Sequence, residues 1–247
     1  MSKSIIIFGF HAIQAQLDSN PECLLKVLTL DNRNDKRLNT LITQLDRLGI
    51  NTQQANKQQL DKLTKNQTHQ GIAAEILLPT LPNLDGLIHY VEKLSNSSLI
   101  LILDSIQDPR NLGACLRSAN AAGVDCVVIN KDGSAPINAL VHKTSAGALN
   151  QLKIFSVTNL SRTIKALKEH NIWVVGLDGA TDQSIYQIDL TTPTAIIMGA
   201  EGSGLRSLTK KSCDQLAMIP MQGNVESLNV SVATGIALFE ASRQRNL

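Results

Sequence analysis

The chain has 247 residues, of which 43% are hydrophobic and 18% charged, and its formal net charge is +2. This composition is typical of a folded globular protein and excludes an intrinsically disordered chain. Because the sequence contains four Phe, two Tyr and one Trp, we do not expect rows of stacked aromatic side chains that bind nucleic acid. The near-balanced charge predicts no general electrostatic attraction to nucleic acid, although basic residues can still cluster in the fold.

The N-terminal segment and the cysteines indicate the cellular compartment. The apolar run in "MSKSIIIFGFH" is too short for a secretion signal, and no apolar stretch reaches the roughly 18 residues of a membrane span. The cysteines are scattered without a C-x-x-C pair, which favours buried free thiols over metal ligands or disulfides. They are Cys23, Cys115, Cys126 and Cys213. We therefore expect a cytoplasmic protein with no membrane segment and no metal.

The first part of the chain predicts a small α/β domain over residues 1–76. The runs "LLKVLTL" (24–30) and "GIAAEILL" (71–78) are typical of strands. Between them, "DKRLNTLITQLDRLG" (35–49) has leucines at helical spacing and ends in glycine. Residues 77–97 contain two prolines and a glycine in "LPTLPNLDG", which predicts a linker with room for a short helix in "LDGLIHYVEKL".

From residue 98 to 247, strands alternate with helices. Strands are predicted in "SLILILD", "VDCVVIN", "QLKIFSV", "IWVVGLD", "TAIIMG" and "QLAMIPM". Helices are predicted over residues 111–123, 137–149, 159–170 and 228–245. This alternation predicts an α/β fold with a mostly parallel sheet and helices on both faces.

The glycine-rich segment "MGAEGSGL" (198–205) follows a late strand of that sheet. It lacks the Walker pattern, its glycines are in the wrong order for a dinucleotide loop, and it contains a carboxylate that would repel phosphate. Ligands of open α/β sheets bind outside the carboxyl ends of the strands. We expect three loops to meet there, at residues 104–111, 198–202 and 219–229.

Three segments resemble the motifs of the SpoU-type RNA 2′-O-ribose methyltransferases of the SPOUT class. They are "LDSIQDPRNLGACLRSANAAG" (103–123), "IIMGAEGSGL" (196–205) and "IPMQGNVESLNVSVATGIALFEASRQR" (219–245). The segments "FGFHAIQAQL" (8–17) and "THQGIAAE" (68–75) are similar to the substrate-binding domain of one branch of the family. That branch methylates a guanosine ribose in large-subunit (23S) ribosomal RNA.

The resemblance implies a SPOUT-type trefoil knot in a parallel-sheet catalytic domain over residues 98–247, preceded by a small RNA-binding domain. It also implies S-adenosylmethionine as cofactor, large-subunit ribosomal RNA as partner and a homodimer. Two alternatives remain: a tRNA ribose methyltransferase, which the N-terminal domain argues against, and a non-catalytic RNA-binding assembly protein. Retention of the family's polar site residues argues against the second.

By family position, Gly199, Ile219 and Leu228 would line the cofactor pocket. Gly199 would let the backbone approach the ligand closely. From the residues alone, Ile219 and Leu228 are better explained as ordinary core side chains, because apolar residues at the ends of strands and helices are usually buried.

By the same resemblance, Asn111, Arg117, Glu201 and Asn229 would form the catalytic site. A guanidinium stays protonated, with a pKa above ~12, so we expect Arg117 to bind phosphate and stabilise the developing alkoxide rather than act as a base. Glu201 would face a cation, Arg117, or else the RNA; as an isolated residue it would be a solvated turn residue.

The two asparagines each have two candidate roles. Asn111 could be the N-cap of the helix over 111–123, or could orient a ribose or Arg117. Asn229 could cap the last helix or donate a hydrogen bond to the substrate. That helix is apolar or small nearly all round, which predicts that it is buried at the knot or at a dimer interface.

Overall fold

The computed structural model describes residues 4–31, 33, 35–78, 80–94 and 97–246. The chain forms two compact units. The first unit comprises Met1–Thr80 and Ile137–Gln151, and the second comprises Leu81–Pro136 and Leu152–Leu247. Residues 137–151, which follow a strand of the second unit in the chain, therefore pack with the first unit.

The first unit contains a four-stranded sheet with the order β1-β4-β2-β3, in which β2 and β3 are parallel and the other pairs antiparallel. The strands are β1 Ser4–Phe8, β2 Leu24–Leu30, β3 Thr52–Ala55 and β4 Ile72–Leu77. The helices are α1 Phe10–Ser19, α2 Lys36–Arg47, α3 Lys57–Leu63, α6 Ala139–Thr144 and α7 Ala148–Gln151, with a 3₁₀ turn at Pro21–Cys23. The predicted β2, α2 and β4 are confirmed. The sequence analysis did not assign β1, α1, β3 or α3.

The second unit contains a six-stranded, fully parallel sheet with the order β10-β8-β9-β5-β6-β7, which confirms the predicted α/β fold. The strands are β5 Leu99–Asp104, β6 Cys126–Asn130, β7 Lys153–Val157, β8 Trp173–Leu177, β9 Thr194–Gly199 and β10 Gln215–Ala217. The helices are α4 Leu84–Val91, α5 Pro109–Ala121, α8 Leu160–Glu169, α9 Ser207–Ser212 and α10 Val230–Arg245, with a 3₁₀ turn at Ile185–Gln187.

The two central strands, β5 and β9, position the site. Every residue of both strands is buried, as expected for continuous apolar runs in a parallel sheet. They pair in register from Leu99 with Thr194 to Asp104 with Gly199, so both strands end at the same edge of the sheet. Strand β10 ends four residues earlier than predicted, before Pro220, which has no N–H for a ladder bond.

The helix predicted over residues 137–149 is broken into α6 and α7. Ala146 and Gly147 have positive φ angles of 50° and 92°, which no α-helix accommodates. In α6, the Lys143 ammonium lies 5.5 Å from the centre of the Phe8 ring. The neighbouring His142 is buried, its Nε2 has no hydrogen-bond partner among the described residues, and burial lowers its pKa to about 4.

The cysteines are free thiols, as predicted, and burial raises the pKa of Cys115 to about 11 and that of Cys126 to about 12. Within the described ranges, no group of His, Cys, Asp and Glu side chains is arranged to hold a metal ion. None of the helices in the described part of the chain combines the length and hydropathy of a membrane span.

Candidate active site

Helix α5 begins directly after the loop that follows β5. Asp108 is its N-cap, because the Asp108 carboxylate accepts a hydrogen bond of 2.8 Å from the Arg110 N–H, and Pro109 occupies the first helical position. The prediction that Asn111 caps this helix is therefore wrong. Its side chain is buried and instead donates from Nδ2 to Glu201 Oε2 over 2.8 Å.

Glu201 lies in a tight turn after β9. Ala200 and Gly204 exchange backbone hydrogen bonds of 3.1 and 2.8 Å, and Gly202 and Gly204 have φ angles of 80° and 64° that favour glycine. A Cβ on Gly199 would collide with the backbone of Gly204 and Leu205. The bare α-carbon of Gly199 therefore makes room for the returning loop of its own chain. That it also lets the backbone approach a ligand stays a prediction.

Asn229 has the capping role that the sequence offered, and its side chain also donates hydrogen bonds to two other predicted site residues. A contact with the substrate stays a prediction. Asn229 Oδ1 caps α10 by accepting hydrogen bonds from the Ser231 N–H (2.9 Å) and the Ser231 hydroxyl (2.6 Å). Its Nδ2 donates to Asn111 Oδ1 over 3.0 Å and to Glu201 Oε1 over 3.2 Å.

Asn111, Glu201 and Asn229 thus form a closed hydrogen-bonded set, which we call the amide–carboxylate ring. Both Glu201 oxygens accept amide N–H donors, and Asn111 both donates and accepts. Asn111 is buried, whereas Glu201 and Asn229 are exposed. The ring is therefore fixed from the protein side and presents a carboxylate toward solvent.

Arg117 does not join the ring. It is exposed, and no ion pair links it to Glu201 among the described residues. Six residues along an α-helix correspond to a rotation of about 240°, so Arg117 leaves α5 on a different side from Asn111. The prediction that Glu201 faces Arg117 is wrong within one chain, since the partners of Glu201 are two neutral amides.

A cavity of about 550 Å³ opens beside the ring. Gly199, Ile219 and Leu228, the three predicted cofactor residues, all line it together with Glu201. Ile219 and Leu228 are partly exposed rather than buried, so the alternative that they are ordinary core residues does not hold.

Three charged residues in the cavity wall were missed by the sequence analysis: Asp178 after β8, Lys210 in α9, and Glu226. Lys210 Nζ forms an ion pair with Asp178 Oδ2. Burial raises the pKa of Asp178, but hydrogen bonds from Lys210 and the Ala180 N–H outweigh burial and bring this pKa below its usual value. Asp178 could have been found from the sequence, because it follows a predicted strand of the same parallel sheet. Lys210 could not, because the sequence did not predict α9.

The buried Asp104 at the end of β5 anchors the start of α9. Its Oδ2 accepts a hydrogen bond of 2.7 Å from the Thr209 hydroxyl, and its Oδ1 forms an ion pair of 2.7 Å with Arg206 Nε. Because Lys210 follows Thr209 directly, this contact also positions the charged wall of the cavity.

The charges of the cavity suit a cationic ligand. The wall carries three carboxylates, from Asp178, Glu201 and Glu226, and one ammonium, from Lys210. The rest is backbone, apolar side chains and two serines. A cavity of this size and character fits an aromatic ring system attached to a positively charged group. A sulfonium nucleoside such as S-adenosylmethionine meets both requirements.

Comparison with known proteins identifies the family. Residues 98–239 match the SpoU rRNA methylase family, and residues 6–81 match a domain described as RNA 2′-O ribose methyltransferase substrate binding. The chain is 46% identical over 244 residues to the 23S rRNA (guanosine-2′-O-)-methyltransferase RlmB of Yersinia pestis, covering 99% of both chains.

Solved structures share the fold. A crystal structure of an RNA 2′-O ribose methyltransferase matches with a TM-score of 0.81 at 27% identity, covering 100% of this chain and 90% of that chain. The SpoU methyltransferase AviRb of Streptomyces viridochromogenes, solved in complex with the cofactor AdoMet, matches with a TM-score of 0.82 at 23% identity, covering 98% and 91%. Since the family match spans more than half of the chain and the Yersinia relative aligns over its whole length, this protein belongs to the SpoU rRNA methylase family.

Proposed function

We propose that this protein uses S-adenosylmethionine to methylate the 2′-hydroxyl of a guanosine in 23S ribosomal RNA. The observation that carries the proposal is the amide–carboxylate ring standing beside the cavity that Gly199, Ile219 and Leu228 line. The Yersinia relative, which aligns over its whole length, is a 23S rRNA guanosine 2′-O-methyltransferase by name. The four free thiols, of which Cys115 and Cys126 are buried, support a cytoplasmic location.

The cavity would hold the cofactor, which supplies an electrophilic sulfonium methyl group when bound. Ile219 and Leu228 would contact the adenine, and backbone groups around Gly199 would contact its polar edge. The carboxylates of Asp178 and Glu226 would oppose the positive charge of the ligand. The protein contributes alignment and electrostatics, whereas the reactive carbon belongs to the cofactor.

The polar residues would act on the RNA. We assign to Arg117 the binding of the substrate phosphate and stabilisation of negative charge as it develops on the 2′-oxygen. Glu201 would hold the ribose in place, because the ring leaves its carboxylate fixed and exposed. Asn111 and Asn229 are positioning residues for Glu201, through the three hydrogen bonds that join them.

The domain roles belong to the same proposal. Residues 1–76 would bind RNA, and residues 98–247 would form the knotted catalytic domain. Of the predicted linker over residues 77–97, the part from Leu81 onward packs with the second unit, since Leu87 and Val91 of α4 are buried in its core. The fold likeness to SpoU methyltransferase structures and the separate match of residues 6–81 support this division.

The active form would be a homodimer, with α10 at its interface. Val232 and Phe239 are each 51% exposed and lie seven residues apart, on one face of α10. Exposed apolar side chains on one helix face favour contact with another protein surface. In such a dimer Arg117, which is turned away from its own ring, would serve the ring of the partner.

The test is a methylation assay with purified protein, radiolabelled S-adenosylmethionine, and unmethylated 23S rRNA and tRNA transcripts. We expect labelling of 23S rRNA at one guanosine ribose, which primer extension at low dNTP concentration would map. Labelling of tRNA alone would contradict the substrate assignment. Cofactor binding without transfer to either RNA would contradict the activity itself.

A further inference from the structure

Two arginines of the first unit stack on one phenylalanine. Phe10, the first residue of α1, is buried. The guanidinium carbon of Arg33, in the loop after β2, lies 4.9 Å from the centre of the Phe10 ring, and that of Arg37, in the first turn of α2, lies 4.7 Å from it. Two like charges therefore share one aromatic ring.

Further contacts hold these segments together. Gln70, which precedes β4, accepts a hydrogen bond of 3.3 Å at Oε1 from the Phe10 N–H, and its carbonyl oxygen accepts one from Arg33 Nη1. The Gly9 N–H donates to the Ile72 carbonyl over 3.2 Å. The loops after β1, after β2 and before β4 are thus joined, so the ring and the guanidinium groups have defined positions.

The two arginines differ in how their charge is balanced. Arg33 forms an ion pair of 2.6 Å with Asp35, and this hydrogen bond lowers the pKa of the Asp35 carboxyl, which keeps it ionised. Arg37 is exposed, and none of the described carboxylates lies within ion-pair distance of it. Its Nη2 lies 3.4 Å from His11 Nε2. The adjacent Lys36 is exposed and adds a second unbalanced charge.

This arrangement suits a phosphate ligand. A guanidinium held against an aromatic ring loses little freedom on binding, and its planar fork of N–H donors matches two phosphate oxygens. Such charge-assisted bidentate contacts are stronger than those of a mobile point charge. An anion beside Arg37 would also relieve the repulsion between the two stacked guanidinium groups.

We propose that Arg37, positioned by its contact with the Phe10 ring, binds a phosphodiester group of the RNA backbone. The ligand class is RNA because the proposed function makes RNA the substrate, and this inference rests on that function. The contact is to the backbone, so it anchors the substrate without reading its sequence.

The test compares Arg37→Met with Arg47→Met. Methionine keeps an apolar contact with Phe10 while removing the charge. Arg47 is an exposed arginine at the other end of the same helix, with no ion pair among the described residues, which makes it the matched control. The probe is full-length 23S rRNA transcript in filter binding over a series of KCl concentrations.

We expect Arg37→Met to weaken RNA binding about tenfold, the effect of losing a charge-assisted hydrogen bond. We also expect the slope of log Kd against log salt to fall by about one. Arg47→Met should change neither, and Arg37→Lys should recover the slope but only part of the affinity. Melting temperature and affinity for S-adenosylmethionine should remain at wild-type values for all three.

Equal affinity and slope for Arg37→Met and the wild type would overturn the proposal and direct the search toward a protein ligand. Equal losses for Arg37→Met and Arg47→Met would also overturn it, since the effect would then be one of net charge. The proposed function fails separately: it would be contradicted by a wild-type protein that methylates no RNA, whatever the two variants do in the binding assay.

Discussion

The two sides of helix α5 are built differently. On one side, Asn111 is buried and tied into a ring in which both oxygens of Glu201 accept hydrogen bonds. On the other side, Arg110 and Arg117, which are seven residues apart and so about 20° apart around the helix, are exposed and make no ion pair among the described residues. One chain therefore completes the positioning half of the site and leaves the cationic half open. The exposed arginines are therefore the part of the site that the proposed RNA substrate and the proposed partner subunit would complete.

The largest effect on the rate is expected from Arg117, on the side of α5 that makes no ion pair among the described residues. Arg117→Lys and Arg117→Ala should each reduce the methyl-transfer rate about 10³-fold, because alanine removes the donors that stabilise charge on the 2′-oxygen and lysine removes their planar fork. Cofactor affinity, measured by calorimetry, should not change. Full activity of Arg117→Lys would show that the planar fork is irrelevant.

A mixed dimer determines which chain uses Arg117. One subunit would carry Arg117→Ala and the other Glu201→Gln, purified together through two different tags. If Arg117 serves the partner's ring, one site is intact and the mixed dimer regains about half of the wild-type rate. A mixed dimer as inactive as its parents would place Arg117 and Glu201 in the same site of one chain.

The second largest effect on the rate is expected from the amide–carboxylate ring. Glu201→Gln places an amide N–H₂ where the ring needs an acceptor, so one donor from Asn111 or Asn229 is left without a partner. We expect a rate loss of about 10²-fold with little change in melting temperature, because the site is partly exposed. A rate within twofold of wild type would show that the ring is structural only.

The proposed dimer interface on α10 is tested by a change of charge. Phe239→Asp puts a charge on the exposed apolar face of α10, and we expect light scattering to report half of the wild-type mass. Activity should fall with it if the partner supplies Arg117. The control is Asn246→Ser at the exposed C-cap of the same helix, which leaves the apolar face and the Arg243–Glu240 ion pair unchanged. An unchanged mass for Phe239→Asp would remove α10 from the interface.

The smallest effect on activity is expected from His142, whose buried Nε2 has no hydrogen-bond partner in the part of the chain that the structure describes. Its pKa is lowered from 6.5 to about 4, so between these pH values the unfolded chain binds a proton that the folded chain does not. The free energy of unfolding should therefore fall as the pH drops from about 6.5 to 4, by up to about 3 kcal/mol. His142→Gln should flatten this dependence in urea titrations, and an unaltered slope would contradict the assignment.

The central sheet could be predicted because its strands are local patterns. β5 and β9 are continuous apolar runs, and their shared edge follows from parallel pairing. The short polar strand β3 has no such pattern, since its sequence is TQQA. It forms because β2 offers an open edge.

The residues of the site could be named from the motifs, but their contacts could not. The cap of α5 was misassigned although Asp108 followed by Pro109 is itself a helix-start signal. The partners of Glu201 depend on how α5 and α10 are rotated about their axes. Opposite charge suggested Arg117, whereas packing selected two amides.

Gly199 has a consequence for interpreting variants. Any side chain there would separate the end of β9 from the backbone at Gly204 and Leu205, and so displace the turn that carries Glu201. The cavity wall and the ring would then be lost together. A mutational scan would record Gly199 as a residue needed for both cofactor affinity and turnover, although a Cβ at this position would meet the chain's own backbone. Sensitivity to substitution at this position reports the closure of a loop, and cannot be taken as proof of contact with a ligand.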